Sequence, residues 1–128
     1  MDKFDIVTEP AYKLIRATLS GFFDGATVAQ FGRAVQMASA GMGCQSGEHL
    51  LLVDTTRCAL QAQDVVGAFQ ALITDSPLKS KRIAIVTGSS LSRMQVRRIL
   101  VRDQAMMFDN AADAEQWVLT GTLGAQAA

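Results

Sequence analysis

Apolar residues run without a break through Leu50-Leu51-Leu52-Val53 and again, after Arg82, through Ile83-Ala84-Ile85-Val86. Runs this short, aliphatic and bounded by turn formers predict strands buried on both faces at the centre of a parallel sheet. The first opens at His49 and is closed by Asp54-Thr55-Thr56. The second spans Arg82 to Thr87, breaks at Gly88-Ser89-Ser90 and reopens as Leu91-Ser92-Arg93-Met94-Gln95. As neighbouring central strands they would bury Leu52, Val53, Ile83, Ile85 and Val86 almost fully. Their two polar ends would then lie side by side.

Elsewhere the apolar positions alternate or recur at helical spacing. Phe4 to Thr8 and Leu14 to Leu19 alternate in part, and Glu9-Pro10-Ala11-Tyr12 between them is turn-like, so they predict an antiparallel hairpin whose first strand ends at the proline. After a break at Gly21 to Gly25, Thr27-Val28-Ala29-Gln30 has the form of a capping box. Val28, Phe31, Val35, Ala38 and Met42 then recur every three or four residues, one stripe of a helix that Gly41, Gly43 and Gly47 end. Val65, Val66, Phe69, Leu72 and Ile73 predict a second helix from Gln63 to Asp75, stopped by Ser76-Pro77. A third runs from Leu91 to Val101. Met106-Met107-Phe108 is a short strand, and Asp109-Asn110 caps a last helix with Ala114, Trp117 and Val118 inward.

The order β-β-α-β-α-β-α-β-α predicts an α/β fold. It calls for a mixed, mainly parallel sheet of four to five strands with right-handed crossovers, an antiparallel N-terminal hairpin at the edge and about four helices. Residues 1–119 form a single domain in this reading, and 120–128 a tail that frays.

Composition narrows the class without naming a reaction. The 128 residues suffice to bury roughly two thirds of the unfolded surface with no disulfide or metal. Twelve basic residues balance twelve acidic ones, which removes the net-charge argument for nucleic-acid binding. The two cysteines, Cys44 and Cys58, have no CxxC spacing and only His49 to join them, so neither structural zinc nor another cofactor is expected. With no signal-like start and no window approaching the ~20 apolar residues of a membrane helix, a soluble cytoplasmic protein with reduced thiols is expected, not inserted in a membrane.

Ligands of open α/β sheets sit beyond the carboxyl ends of the strands, which directs attention to Asp54, Thr55, Thr56, Gly88, Ser89 and Ser90. The Gly88-Ser89-Ser90 turn has two readings, an anion held on free N–H groups at a helix start, or an N-cap. It fits neither a P-loop nor the GxSxG elbow. Asp54-Thr55-Thr56 could face a ligand, receive a phosphate, or simply make a turn. Between Lys79 and Arg102 stand Lys79, Lys81, Arg82, Arg93, Arg97, Arg98 and Arg102 with no acidic residue. Arg93 with Arg97, and Arg98 with Arg102, are like-charged i,i+4 pairs that an acidic partner would relieve, unless the face is merely solvated. His49 reads as a surface or boundary residue. Met37, Met42, Met94, Met106 and Met107 read as core filler or as the lining of an adaptable apolar pocket.

The ordered set Leu50-Leu51-Leu52-Val53-Asp54, Lys81-Arg82-Ile83-Ala84-Ile85-Val86, Met107-Phe108-Asp109 and Ala114-Glu115-Gln116-Trp117-Val118 resembles the bacterial SpoIIAA-like proteins of the STAS superfamily, over roughly Phe4 to Leu119. The resemblance implies a mixed sheet with packed helices, related in shape to CRAL-TRIO lipid-binding domains, and no catalytic residues. Classical anti-sigma-factor antagonists carry a phosphorylated Asp-Ser-Ser-Gly motif at the start of the second helix. Here that region reads Gln61-Ala62-Gln63-Asp64-Val65-Val66-Gly67, with no hydroxyl for a kinase. The expectation is a non-enzymatic regulatory module that recognises a protein partner or small anionic ligand through Asp54, Thr55, Thr56, Gly88, Ser89, Ser90, Arg93 and Arg97, with homodimerisation left open. The alternative is a carrier of an apolar, lipid-like ligand, which requires an apolar pocket of several hundred Å³.

Overall fold

The computed structural model describes residues 3–45, 47–74, 80–100 and 104–123. The Ser76-Pro77 stop, the helix ends expected at Asp75 and Val101, the side chains of Lys79 and Arg102, and residues 124–128 lie outside these. Five strands, β1 (Phe4–Glu9), β2 (Leu14–Gly21), β3 (Leu50–Cys58), β4 (Arg82–Val86) and β5 (Ala105–Phe108), form one sheet in the order β1-β2-β3-β4-β5. β1 is antiparallel to β2, and every other pair is parallel. The helices are α1 (Gly25–Gly41), α2 (Gln63–Thr74), α3 (Ser90–Ile99) and α4 (Ala111–Thr120).

Alternation along the strands explains the layers. Ile15, Ala17 and Leu19 of β2, Leu51 and Val53 of β3, and Ile83 and Ile85 of β4 face one side, where Val28, Phe31 and Val35 of α1, Val65, Val66 and Phe69 of α2, and Val96 and Ile99 of α3 cover them. Leu14, Leu50, Leu52, Ala84, Val86 and Phe108 face the other, under Ala114, Trp117 and Val118 of α4. The sheet grows in one direction from β2 to β5, so crossovers of one hand place α1, α2 and α3 on a single face. Leu52, Val53, Ile83, Ile85 and Val86 are buried as expected, because β3 and β4 are neighbours with Val53 opposite Ile85. Between α1 and α2 the packing is close: a Cβ at Gly32 would come within 2.5 Å of Leu72.

Several local expectations are corrected. α1 is capped by Asp24, whose Oδ1 accepts from the Thr27 N–H and hydroxyl, so Thr27 is a donor in the first turn and not the cap. The carboxylate both satisfies free N–H groups and meets the positive helix end. β3 runs on through Asp54, Thr55 and Thr56 to Cys58; these residues do not close it. His49 is buried, with Nε2 2.7 Å from the Ser80 hydroxyl, and is no surface residue. The methionines do not converge: Met37 and Met94 are exposed, and Met106 and Met107, consecutive on β5, pack on opposite faces of the sheet. Gly121, at φ 76°, is the C-cap of α4.

Candidate functional site at the carboxyl ends of the strands

β3 and β4 end side by side, with Asp54 opposite Val86. Just beyond, Gly88 lies against Thr56, whose Cα would be 3.7 Å from a Cβ placed on the glycine. The two polar stretches expected to meet therefore do. They meet through a bulge: Thr18 pairs with Asp54 but Ser20 with Arg57, so two steps on β2 are matched by three on β3. The extra residue reverses the alternation, which lets both Thr55 and Cys58 line the interior between the sheet and its helices.

The polar groups here are largely engaged with one another. Thr55 Oγ1 donates to the Val86 carbonyl at 2.7 Å. Asp54 Oδ1 accepts from the Thr56 N–H and hydroxyl. Ser89 caps α3, its hydroxyl accepting from the Ser92 N–H at 3.1 Å. The cap reading of Gly88-Ser89-Ser90 is thus realised, and Ser89 Oγ occupies a donor that an anion would otherwise use. Burial pushes the Cys58 thiol up to about 11, with the Asp54 charge adding to it, so Cys58 is no thiolate nucleophile at neutral pH.

Arg93 opens the outer face of α3 half-buried, and Arg97 and Arg98 follow exposed. Among the described residues none of the three forms an ion pair. Phe22 after β2 (67 % exposed), Leu60 after β3, and Leu91 and Met94 on α3 are exposed apolar side chains at this same end. Leu91, Met94 and Arg98 lie one above another at spacings of three and four, opposite the buried Val96 and Ile99.

A polar junction that sequence reasoning missed holds these loops in place. Gln61 Oε1 accepts from the Phe23 N–H at 2.8 Å, and Nε2 donates to the Gly21 and Ala59 carbonyls. Gln95 of α3 completes it, accepting from the Gln61 N–H at 2.9 Å and donating to the Gln61 carbonyl at 2.7 Å. Gln61 stands at the approach to α2 and ties the ends of β2 and β3 to α3.

Beneath the junction, the helices and the sheet frame a partly open apolar pocket of about 70 Å³ lined by Leu19, Phe31, Val53, Phe69, Ile85 and Val96, among others. That volume holds a few heavy atoms, against several hundred Å³ for a lipid-sized ligand. The strand order never reverses, so the fold has no crevice of the switch-point kind. Among the described residues no three metal-ligating side chains cluster, and no helix is long and apolar enough to cross a membrane.

Among solved structures the chain resembles an uncharacterised protein of the DUF3478 family with a SpoIIAA-like fold from Shewanella loihica PV-4. The TM-score is 0.67 at 18 % identity, over 92 % of this chain and 95 % of that one. An anti-sigma factor antagonist from Mycobacterium paratuberculosis superposes with a TM-score of 0.61 at 13 % identity, over 91 % and 95 % of the two chains. The chain therefore has a SpoIIAA-like fold, as the resemblance implies. No protein-family model matches it, and no curated protein matches it in sequence.

Proposed function

We propose that the protein is a non-enzymatic regulatory module that binds a protein partner with an acidic, partly apolar surface. The contact would be made at the carboxyl ends of β2, β3 and β4, with Arg93 and Arg97 beside Leu91 and Met94 and the Asp54, Thr55, Thr56, Gly88, Ser89 and Ser90 ridge at its border. The observation that carries this reading is the coincidence, on one rigidly tied end, of exposed apolar side chains with arginines that lack carboxylate partners among the described residues. Apolar anchors rimmed by uncompensated charge are what a protein interface presents before its partner arrives. That one structural neighbour is an anti-sigma factor antagonist supports the same class of role. The tied hydroxyls and the raised Cys58 thiol support binding rather than catalysis.

The test is the double substitution Arg93→Gln with Arg97→Gln in a binding assay run at several salt concentrations against the partner co-purified from the native host. The variant should bind more weakly with a flatter salt dependence, while its stability shifts by less than ~0.5 kcal/mol, as for most surface changes. Unchanged binding at every salt concentration would make this helix face ordinary solvated surface.

A further inference from the structure

At the opposite end of the sheet, the amino ends of β2, β3 and β4 frame a cleft of about 410 Å³ whose lining includes Tyr12, Lys13, Glu48, Lys81, Arg82 and Leu119. A volume of that size suits a small-molecule site. Among the described lining residues three side chains are cations and one is a carboxylate, a surplus of two positive charges in a chain of zero formal net charge.

Each wall is fixed by the fold. Lys13 has φ 54° and ψ 38°, the left-handed region that non-glycine residues seldom occupy and that strained, functional positions favour. This conformation turns the chain from the Pro10–Tyr12 turn into β2, and the Lys13 carbonyl accepts from the Leu50 N–H at 2.8 Å. Lys13 Nζ lies 3.0 Å from Glu48 Oε2, and Glu48 Oε1 in turn accepts from the Gln45 N–H. The Arg82 guanidinium is laid across the end of α4, donating to the Val118 and Leu119 carbonyls. It packs so near the cap that a Cβ at Gly121 would be 3.2 Å from Nη1. Lys81, anchored through its N–H to the His49 carbonyl at 2.7 Å, is exposed and forms no ion pair among the described residues. Tyr12 stands beside these charges 59 % exposed.

We propose that this cleft binds a small organic phosphate, a phosphate monoester on a planar apolar group, with the phosphate between Lys81 and Lys13 and the planar group against Tyr12. The roughly two negative charges of a phosphate monoester at neutral pH match the surplus of the cleft. An aromatic ring offers the planar group an offset-stacked or edge contact. This site is separate from the partner face and stands or falls without it.

Phenyl phosphate, inorganic phosphate and phenol serve as probes in amide-resonance titrations of the full chain. Phenyl phosphate should shift residues 12–13, 47–50, 81–82 and 119–121 and bind about tenfold more tightly than inorganic phosphate, with phenol weaker still. Lys81→Gln should weaken phenyl phosphate about fivefold or more and flatten its salt dependence. Tyr12→Ala should remove the preference over inorganic phosphate, and Arg93→Gln should change nothing. Thermal midpoints should stay at the parent value for all three variants. The proposal is overturned if no saturation is reached by about 20 mM, a weak-binding limit. It is equally overturned if the shifts map to α3, if inorganic phosphate or phenol binds as tightly as phenyl phosphate, or if Lys81→Gln binds like the parent.

Discussion

Ser89 illustrates how a single side chain divides between structure and recognition. Its hydroxyl satisfies the Ser92 N–H, so Ser89→Ala should cost about 1 kcal/mol in urea unfolding, and Ser89→Asp, another good cap, should recover most of it. A Ser89→Ala protein of unchanged stability would mean that the cap contributes nothing and that the hydroxyl is free for another role. The cap was legible in the sequence because a Gly-Ser-Ser turn between a strand run and a helical stripe allows few other uses. His49 was not legible. The Ser80 hydroxyl that makes its burial tolerable is 31 residues away, and a partner so distant leaves no local spacing to read. The Asp24 cap was missed for a different reason: the Thr27-to-Gln30 pattern satisfied the capping-box rule three residues too late, while the geometry chose the charged side chain nearer the break.

Among the elements, β3 shows what alternation conceals. Its apolar half was plain, but the polar half looked like a turn because the bulge between Asp54 and Arg57 breaks the period of two. Only the register with β2 reveals that the strand continues. The Gln61 junction was hidden likewise, since a glutamine between a strand and a helix carries no pattern of its own. Gln61→Ala removes one acceptor and two donor contacts that join β2, β3 and the approach to α2. Leaving part-buried backbone groups unpaired should cost about 1–3 kcal/mol and speed hydrogen exchange at the Phe23 amide. Parent-like exchange there would show that the junction is dispensable and that packing alone orders this end.

For the molecule as a whole, the two uninterrupted apolar runs were sufficient to specify the centre of the sheet, and the hairpin and helical stripes supplied the rest of the order. Ile85, 5 % exposed and paired with Val53 and Met107, tests that centre: Ile85→Asp places an unpaired charge in the core and should destabilise by several kcal/mol. A soluble variant with an unchanged melting midpoint would contradict the packing. Exposed apolar residues were the part of the candidate site that the sequence did not announce. Phe22 and Leu60 fall in loops, and Leu91 and Met94 lie off the buried stripe of α3, so nothing in periodicity separates them from incidental surface. Whether they are an interface is tested most directly by photo-crosslinking in the native host, with a photoreactive phenylalanine analogue placed singly at Phe22, Leu91 or Met94, and at Met37, more exposed than any of these and on α1, as the control. A discrete protein adduct from the first three positions and none from Met37 is the expected result. Adducts absent from all three, or formed equally well from Met37, would contradict the assignment of the carboxyl-end face as the place where this protein meets its partner.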